Sequence, residues 1–305
     1  MNNIELTIKT NKPEISDNSL ISYTKNLFRI MKRFKTDDVE ILKDYEKVIL
    51  KLESFTKSYL TKRNYLNSII VYLLNSNHES LKQYQELRDS LNDKYKNEQS
   101  TKEKSVKQIK NWLSLDEINK IVDDLKEKIK INDDKDLEQN IQYLFMLIFW
   151  LNFPLRNDLQ NTILIHKHYY DRLLNVEINK NNYLVHGNTF PFLSISQYKT
   201  VKKYGIKKIK FNNDVNQIYK IYSKINKSRY LLYNIKDNTA MTSGDITNSF
   251  NKLFSKYTDK KISTTMLRHI ILSEKFGKIV NEMDEMSDIM GHSSQTQQQI
   301  YIKNN

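Results

Sequence analysis

The chain has 305 residues, 39% of them hydrophobic and 11% aromatic, which is enough to build substantial cores, and it has no cysteine. The absence of cysteine excludes disulfides, cysteine-ligated zinc and thiol nucleophiles. Lysine and arginine number 49 against 36 acidic residues, so the formal net charge is +13. That charge favours a polyanionic partner, either nucleic acid or an anionic membrane.

The hydropathy pattern argues against a membrane or secreted protein. The longest apolar run, residues 143–151, is shorter than the roughly 20 residues that a membrane-spanning helix needs. Residues 1–18 alternate polar and apolar groups and lack the hydrophobic core of a secretory signal. We therefore expect an intracellular protein with nucleic acid as its partner and no membrane association.

The first part of the chain has apolar residues at helical spacing. After an N-terminal arm (1–16), residues 17–92 are predicted to form a helical domain, with helices over 17–34, 39–59 and 64–74. Asp17 or Ser19 can cap the first helix.

Basic residues mark this domain as a candidate DNA-binding unit. They lie on the polar face of the first helix and at the start of the third: Lys25, Arg29, Lys32, Arg33, Lys62 and Arg63. A single surface lysine is ordinarily only solvated. The number of basic residues on one small domain favours contacts to phosphates.

Residues 93–111 are almost wholly polar, which predicts a linker, and a second domain is predicted over 112–305. Ser114 and Glu117 have the spacing of a capping box. A buried helix is predicted at 143–155, and short strands at 162–165, 183–185, 192–197 and 206–211. Further helices follow at 215–225, 243–257, 265–276 and 284–290. The fold class is mainly α with a small antiparallel β-sheet, in a mixed α/β second domain.

Three ordered motifs lie near the C-terminus: Leu267-Arg268-His269, then Met290-Gly291-His292-Ser293-Ser294, then Tyr301. They resemble the C-terminal boxes of the tyrosine recombinases, or phage integrases, in which a similar order of residues precedes the nucleophilic tyrosine. The Asn, Lys and Ile bias also resembles integrase-like proteins of large eukaryotic DNA viruses. The resemblance implies a helical core-binding domain followed by a catalytic domain.

The resemblance also implies two upstream site residues. Arg156 follows the predicted buried helix, where the family has its first arginine. Lys199 matches the lysine that the family delivers from a basic hairpin, and Lys202 and Lys203 are the alternatives and also DNA-binding candidates. Two positions depart from the family pattern. Thr265 stands where the family has His or Lys, and Leu159 stands three residues after Arg156, where the family has an acid, with Asp158 one place earlier.

The chemistry of phosphodiester cleavage suits these residue types. Bidentate guanidinium groups can hold a phosphate whose oxygens gain negative charge, which fits Arg156 and Arg268. A tyrosine with an ordinary pKa near 10 needs such positive surroundings to act as a nucleophile. His292 can orient or deprotonate it, and a lysine can protonate the leaving 5′ oxygen. The phosphotyrosyl bond conserves the energy of the broken link, so no cofactor, ATP or metal is expected.

Two histidine groups have simpler interpretations. His269 lies beside Ile270 and Ile271, which predicts a buried, hydrogen-bonded residue outside the active site. His166 and His168 lack a third ligand, so no metal site is expected.

The sequence therefore predicts a site-specific recombinase or integrase that grips double-stranded DNA between two domains and acts as a homo-oligomer, dimer to tetramer. Two alternatives stay open: a type IB topoisomerase-like enzyme, and a recombinase-derived DNA-binding protein that no longer cuts. Only four residues follow Tyr301, so we expect subunit contacts to use surfaces other than a helix after the nucleophile.

Overall fold

The computed structural model describes residues 3–131, 136–187 and 190–301. Contacts between Cα atoms divide the chain into two compact units, residues 1–104 and 105–305. None of the described helices is long and apolar enough to cross a membrane.

The first unit is helical. Its helices are α1 (Asn3–Asn11), α2 (Asp17–Phe34), α3 (Tyr45–Phe55), α4 (Tyr59–Leu73) and α5 (Ser80–Ser100), with a 3-10 turn at Val39–Lys43. The cap of α2 is Ser16, whose side chain accepts from the Ser19 backbone N–H, and not Asp17 or Ser19 as expected. The predicted helix over 39–59 is divided at Asp44, because the Asp44 side chain accepts from Lys47 N and so begins α3.

One apolar core holds this unit together. The predicted N-terminal arm contributes to it, because Ile4 and Ile8 of α1 are buried there. Tyr84 of α5 is fully buried and donates a hydrogen bond to the carbonyl of Leu42 at 3.0 Å. Buried apolar side chains of this size each contribute about 1.5–3 kcal/mol. The arm is therefore part of the packed unit.

The predicted linker is largely helical. Helix α5 continues to Ser100, and α6 (Val106–Asn111) begins after Ser105 with a capping box to Gln108. Asn111 Oδ1 accepts from Lys261 N at 2.8 Å, which ties α6 to the second unit. A polar segment can thus be helical when caps and distant backbone contacts stabilise it.

The second unit combines helices with a small sheet. Its elements are α7 (Leu115–Ile131), α8 (Leu137–Asn152), β1 (Ile163–His166), α9 (Lys167–Tyr170), α10 (Asn175–Ile178), β2 (Tyr183–His186), β3 (Phe192–Ile195), α11 (Val201–Tyr204), β4 (Lys207–Lys210), α12 (Asn213–Ile225), α13 (Ser243–Tyr257), α14 (Thr264–Met290) and α15 (Ser294–Thr296). A π-helical turn, Gln297–Tyr301, follows. The capping box of Ser114 and Glu117 is confirmed at the start of α7.

Helix α8 lies at the centre of this unit, and Phe145, Phe149 and Trp150 on it are fully buried. The Phe145 ring stacks on Tyr222 of α12 with centroids 4.7 Å apart. The Gln142 amide Nε2 donates to the hydroxyl of Tyr222 at 3.2 Å and to the carbonyl of Tyr233 at 3.0 Å. These contacts satisfy the buried amide nitrogen of Gln142, whereas its Oε1 is buried without a hydrogen-bond partner among the described residues.

The four strands form one sheet in the order β1-β2-β3-β4. Strands β2, β3 and β4 pair antiparallel, as predicted, whereas β1 and β2 are parallel. The parallel pair follows from the connection, since α9 and α10 carry the chain back to the starting edge of β1. The hairpin between β3 and β4 contains α11, and Gly205 ends that turn with a φ of +66°.

Candidate active site

Arg156 lies in the loop that follows α8. Pro154 disfavours helical backbone at Phe153, so α8 ends there, and Arg156 is extended before a 3-10 turn at Asn157–Leu159. Its Nη2 donates to Thr200 Oγ1 at 3.4 Å, and its Nε lies 3.7 Å from Asp158 Oδ2. The side chain is still 39% exposed. The guanidinium is thus oriented by two contacts and accessible to a phosphate.

The Asp158 contact changes one expectation from the sequence. The acid that the family has three residues after its first arginine is absent at Leu159, which is fully buried. Asp158 supplies a carboxylate to Arg156 from one position earlier. A 3-10 turn after Arg156 makes this possible, because it returns the side chain of Asp158 towards the arginine.

Arg268 lies in the first turns of α14. Leu267, Ile270 and Ile271 of the same helix are buried in the core of the unit and fix its position. The Nε of Arg268 donates to the carbonyl of Pro154 at 2.9 Å, two residues before Arg156. Arg268 therefore contacts the loop from which Arg156 projects.

His269 and Thr265 are both exposed on α14. The prediction that His269 is buried was wrong. Residues 265, 269, 272, 273 and 276 form one outward face of the helix at its natural spacing, whereas Ile270 and Ile271 face the core. Adjacent apolar residues did not determine the orientation of His269.

Lys199 is exposed in the loop that follows β3, directly before Thr200, the partner of Arg156. Lys202 and Lys203 are exposed on α11, in the same connection. The structure thus places Lys199 one residue from the arginine contact. The other two lysines lie further along the hairpin.

The hairpin has its own internal contacts. The Tyr198 hydroxyl donates to the Gly205 carbonyl at 2.6 Å. The Lys207 ammonium lies 4.5 Å from the centroid of the Tyr198 ring. These contacts hold the start and end of the connection together, with the Lys199 side chain outside.

Asn182 is a site residue that the sequence did not indicate. It is 3% exposed, and its amide Nδ2 donates to the carbonyls of Asp158 and Gln197. Its Oδ1 accepts from the backbone N–H groups of Ser196 and Gln197 at 2.9 and 2.7 Å. Asn182 therefore joins the Arg156 loop to the loop that carries Lys199.

His292 and Tyr301 lie beyond the C-terminal end of α14. Gly291 ends the helix in the left-handed conformation, and His292 N donates to the Ser287 carbonyl at 3.1 Å. The imidazole Nδ1 of His292 is 3.2 Å from the Ser293 carbonyl. The backbone of Tyr301 closes the π-helical turn, and its side chain lies outside the described part of the chain.

The long helix separates the two halves of the predicted site. The sequence predicts two helices, 265–276 and 284–290, but α14 is continuous from Thr264 to Met290. At about 1.5 Å per residue, Arg268 and Met290 are about 33 Å apart along its axis. Within one chain, Arg268 contacts the loop that carries Arg156, and Lys199 directly precedes Thr200, the partner of Arg156. His292 lies beyond the far end of α14.

The DNA-binding candidates of the first unit differ in their surroundings. Lys25 and Arg29 are exposed on α2. Lys62 is paired with Glu53 at 2.8 Å and its side chain is only 17% exposed. Arg63 donates to Asn92 Oδ1 at 3.4 Å and stacks on the ring of Tyr95. The α2 residues are thus the more accessible to a phosphate.

The described residues contain no group of three or more potential metal ligands. His166 and His186 do face each other at the ends of β1 and β2, with ring centroids 5.7 Å apart. Burial, followed by the nearby His166, lowers the pKa of His186.

No protein-family model matches the sequence, and no curated protein matches it significantly. Among solved structures, the Tn1549 transposon integrase in complex with transposon right end DNA is similar with a TM-score of 0.54 at 15% identity, covering 99% of this chain and 94% of that one. XerH site-specific recombinase bound to difH substrate gives 0.42 at 12%, covering 99% and 91%. XerA recombinase gives 0.35 at 13%, covering 99% and 92%. The first similarity confirms the predicted fold class, a mainly helical chain with a small sheet in its second domain.

Proposed function

We propose that this chain is a DNA recombinase or integrase that cleaves and rejoins double-stranded DNA through a 3′-phosphotyrosyl intermediate. The observation that carries the proposal is the loop of residues 154–158, to which both arginines connect. Arg268 binds the Pro154 carbonyl, and Arg156 projects from the same loop. Two guanidinium groups from separate segments can hold one phosphate from two sides.

The remaining roles complete the reaction. Tyr301 is the nucleophile, and His292 orients or deprotonates it. Lys199 protonates the leaving 5′ oxygen from the hairpin loop, with Lys202 and Lys203 as alternatives. No metal or nucleotide takes part, because the phosphotyrosyl bond conserves the energy of the broken linkage.

The partners and setting belong to the same proposal. The net charge of +13 supports double-stranded DNA as the partner, contacted by Lys25 and Arg29 in the first unit and by Lys202 and Lys203 in the second. The similar integrase was solved with transposon DNA, which also supports it. The protein acts as a homo-oligomer on DNA. The Asn, Lys and Ile bias supports an origin in a large eukaryotic DNA virus, with action in the host nucleus or at the viral replication site.

The test is whether Tyr301→Phe removes a covalent protein–DNA adduct and leaves DNA binding intact. Phe keeps the ring and removes only the hydroxyl, so the adduct should disappear from a denaturing gel of a nicked, end-labelled substrate. Arg156→Ala and Arg268→Ala should each slow adduct formation, because each removes about 3 kcal/mol of transition-state stabilisation.

Tyr169→Phe is the matched control, because Tyr169 is exposed and lies outside the candidate site. It should form the adduct as the unmodified protein does. An adduct that persists in Tyr301→Phe would assign the nucleophile to another tyrosine.

A second function is a recombinase-derived DNA-binding protein that no longer cuts. The separation of about 33 Å along α14 between Arg268 and Met290, after which His292 follows, favours it. Tight binding to the element's own terminal DNA with no adduct from the unmodified protein would support this function over cleavage.

A further inference from the structure

A cavity of about 640 Å³ lies in the second unit, between α12 and strands β1 and β2. His186, the last residue of β2, lines it, whereas Asn182, which joins the Arg156 and Lys199 loops, directly precedes the first residue of β2. At about 3.3 Å per residue, these two positions are about 13 Å apart along the strand. The cavity is therefore separate from the candidate active site. Its volume is within the range of about 300–1,000 Å³ that is usual for small-molecule sites.

Helix α12 presents a polar face to this cavity. Asn216, Tyr219, Lys220 and Ser223 all line it, and they have the i, i+3, i+4 and i+7 spacing of one helix face. The neighbouring face of the same helix is apolar and is buried in the core of the unit. A helix face that only packs against protein is apolar, so a polar face beside a cavity is typical of a ligand site.

Two of these side chains are buried and still have polar groups to offer. Asn216 is 8% exposed and Tyr219 is 6% exposed. In the part of the chain that the structure describes, neither the side-chain amide of Asn216 nor the Tyr219 hydroxyl forms a hydrogen bond. The Tyr219 ring packs against Phe211 and Phe145, and burial raises the pKa of its hydroxyl to about 12, so the hydroxyl stays protonated and can donate. Buried polar groups are nearly always paired in folded proteins, so both groups are available to a ligand.

The charge and the apolar walls of the cavity indicate the class of ligand. None of the described residues that line it is acidic, and Lys220 is exposed at its edge. A second cation lies beside it, because the Lys210 ammonium is 5.5 Å from the centroid of the Phe190 ring. Leu164, Phe190 and Pro191 supply apolar surface. A ligand with a planar ring against Phe190 and an anionic group beside Lys220 fits this combination.

The Asn216 amide narrows the class further. A side-chain amide presents a donor and an acceptor side by side, and this pattern pairs with the N6 and N7 atoms of adenine. Guanine presents two acceptors, O6 and N7, at the same edge, so an amide cannot pair with both. The amide therefore favours adenine over guanine as the planar ring.

We propose that this cavity binds an adenine nucleotide, with the Asn216 amide paired to the base, the base against Phe190, the Tyr219 hydroxyl donating to the nucleotide, and Lys220 beside the phosphate. The site goes beyond the proposed function and does not depend on it. The nucleotide binds beside the far end of β2 from Asn182 and takes no part in strand cleavage.

Binding of AMP to the full chain is measured by isothermal titration calorimetry, with GMP and adenosine as further probes. We expect one saturable site for AMP and binding of GMP that is weaker by about tenfold or more. Asn216→Ala should weaken AMP binding by about tenfold without lowering the stability to denaturant, because the amide has no protein partner to lose. Asn213→Ala, exposed on the same helix outside the cavity, is the control and should bind AMP as the unmodified protein does.

Lys220→Gln tests the phosphate separately from the base. It should weaken the binding of AMP by about tenfold and leave the binding of adenosine unchanged, because adenosine has no phosphate. Lys224→Gln, exposed on the same helix outside the cavity, should change neither.

The location is tested with a double variant, Arg156→Ala with Arg268→Ala, which should still bind AMP. No saturable binding of AMP, equal affinities for AMP and GMP, or unchanged binding in Asn216→Ala would overturn the proposal. Loss of AMP binding in the double variant, or displacement of AMP by saturating duplex DNA, would also overturn it, because the nucleotide would then occupy a DNA phosphate site.

Discussion

The side chain of Asn182 satisfies four backbone groups that belong to two loops, one with Arg156 and one with Lys199. A buried amide of this kind is difficult to replace, because each backbone group left without a partner costs about 1–3 kcal/mol. Asn182 thereby fixes the position of the loop that carries Arg156 relative to the loop that carries Lys199.

Asn182→Ala should lower the free energy of unfolding by about 2–4 kcal/mol and reduce the adduct yield even where the protein is folded. Denaturant unfolding and the adduct gel measure the two effects. Asn181→Ala is the control, because the Asn181 amide makes a single side-chain contact, to the Tyr183 hydroxyl at 3.2 Å. If both variants change the free energy of unfolding and the adduct yield equally, the contacts of Asn182 to the two loops have no special importance.

The proposed role of Lys199 as a proton donor can be tested with a modified DNA substrate. If it protonates the leaving 5′ oxygen, Lys199→Ala should be inactive on ordinary DNA and active on DNA with a 5′-bridging phosphorothiolate, because sulfur leaves without a proton. Tyr301→Phe should stay inactive on both substrates. Lys203→Ala, on the same connection, should cleave both. If the phosphorothiolate substrate rescues Lys202→Ala or Lys203→Ala but not Lys199→Ala, the rescued lysine is the proton donor.

The candidate site residues that the sequence identifies are those that belong to a motif or a charge pattern. Arg156 and Arg268 were placed by local motifs, and both connect to the 154–158 loop. Thr200 and Asn182 were not found, because their partners lie 44 and 24 residues away and their polar side chains match no pattern. Contacts between distant segments determine these roles, and one sequence does not contain them in readable form.

Among the elements, most of the predicted helices are present, and α13 has its predicted bounds. Helix α14 differs. Gly277 and the polar residues after it predict a break, but Lys278 pairs with Glu282 at 3.7 Å one turn later, and most of residues 278–286 have good helix propensity. One glycine in a helix interior costs only about 1 kcal/mol, which is not enough to end such a helix.

The variant Gly277→Ala tests whether α14 stays continuous or has to bend at Gly277 to close the candidate site within one chain. A Cβ added at Gly277 meets nothing within 4 Å, so alanine should raise the free energy of unfolding by about 0.5–1 kcal/mol and leave the adduct yield unchanged. Ser273→Ala, exposed on the same helix, is the control. Loss of the adduct in folded Gly277→Ala, with Ser273→Ala active, would show that bending at Gly277 is required.

On the scale of the whole molecule, positive charge is unevenly distributed. The net charge is +13, but residues 272–290 carry −3. Lys25, Arg29 and Lys32 are exposed at helical spacing on α2, which suits contacts to a phosphate backbone. The composition predicted a polyanionic partner, but not which lysines are already paired. That distinction depends on neighbours such as Glu53, which lies nine residues before Lys62 and one helix earlier.

The salt dependence of DNA binding tests this distinction. The logarithm of the binding constant should fall linearly with the logarithm of salt concentration, by about 0.9 for each phosphate contact. Arg29→Gln should reduce that slope by about 0.9, because the exposed guanidinium contacts a phosphate. Lys62→Gln should leave the slope nearly unchanged, because Glu53 at 2.8 Å already neutralises Lys62 and its side chain is 17% exposed. Fluorescence anisotropy of a labelled duplex over a salt series measures both slopes. If the two variants reduce the slope equally, Lys62 leaves Glu53 to bind DNA; if neither does, α2 is not part of the DNA-binding surface.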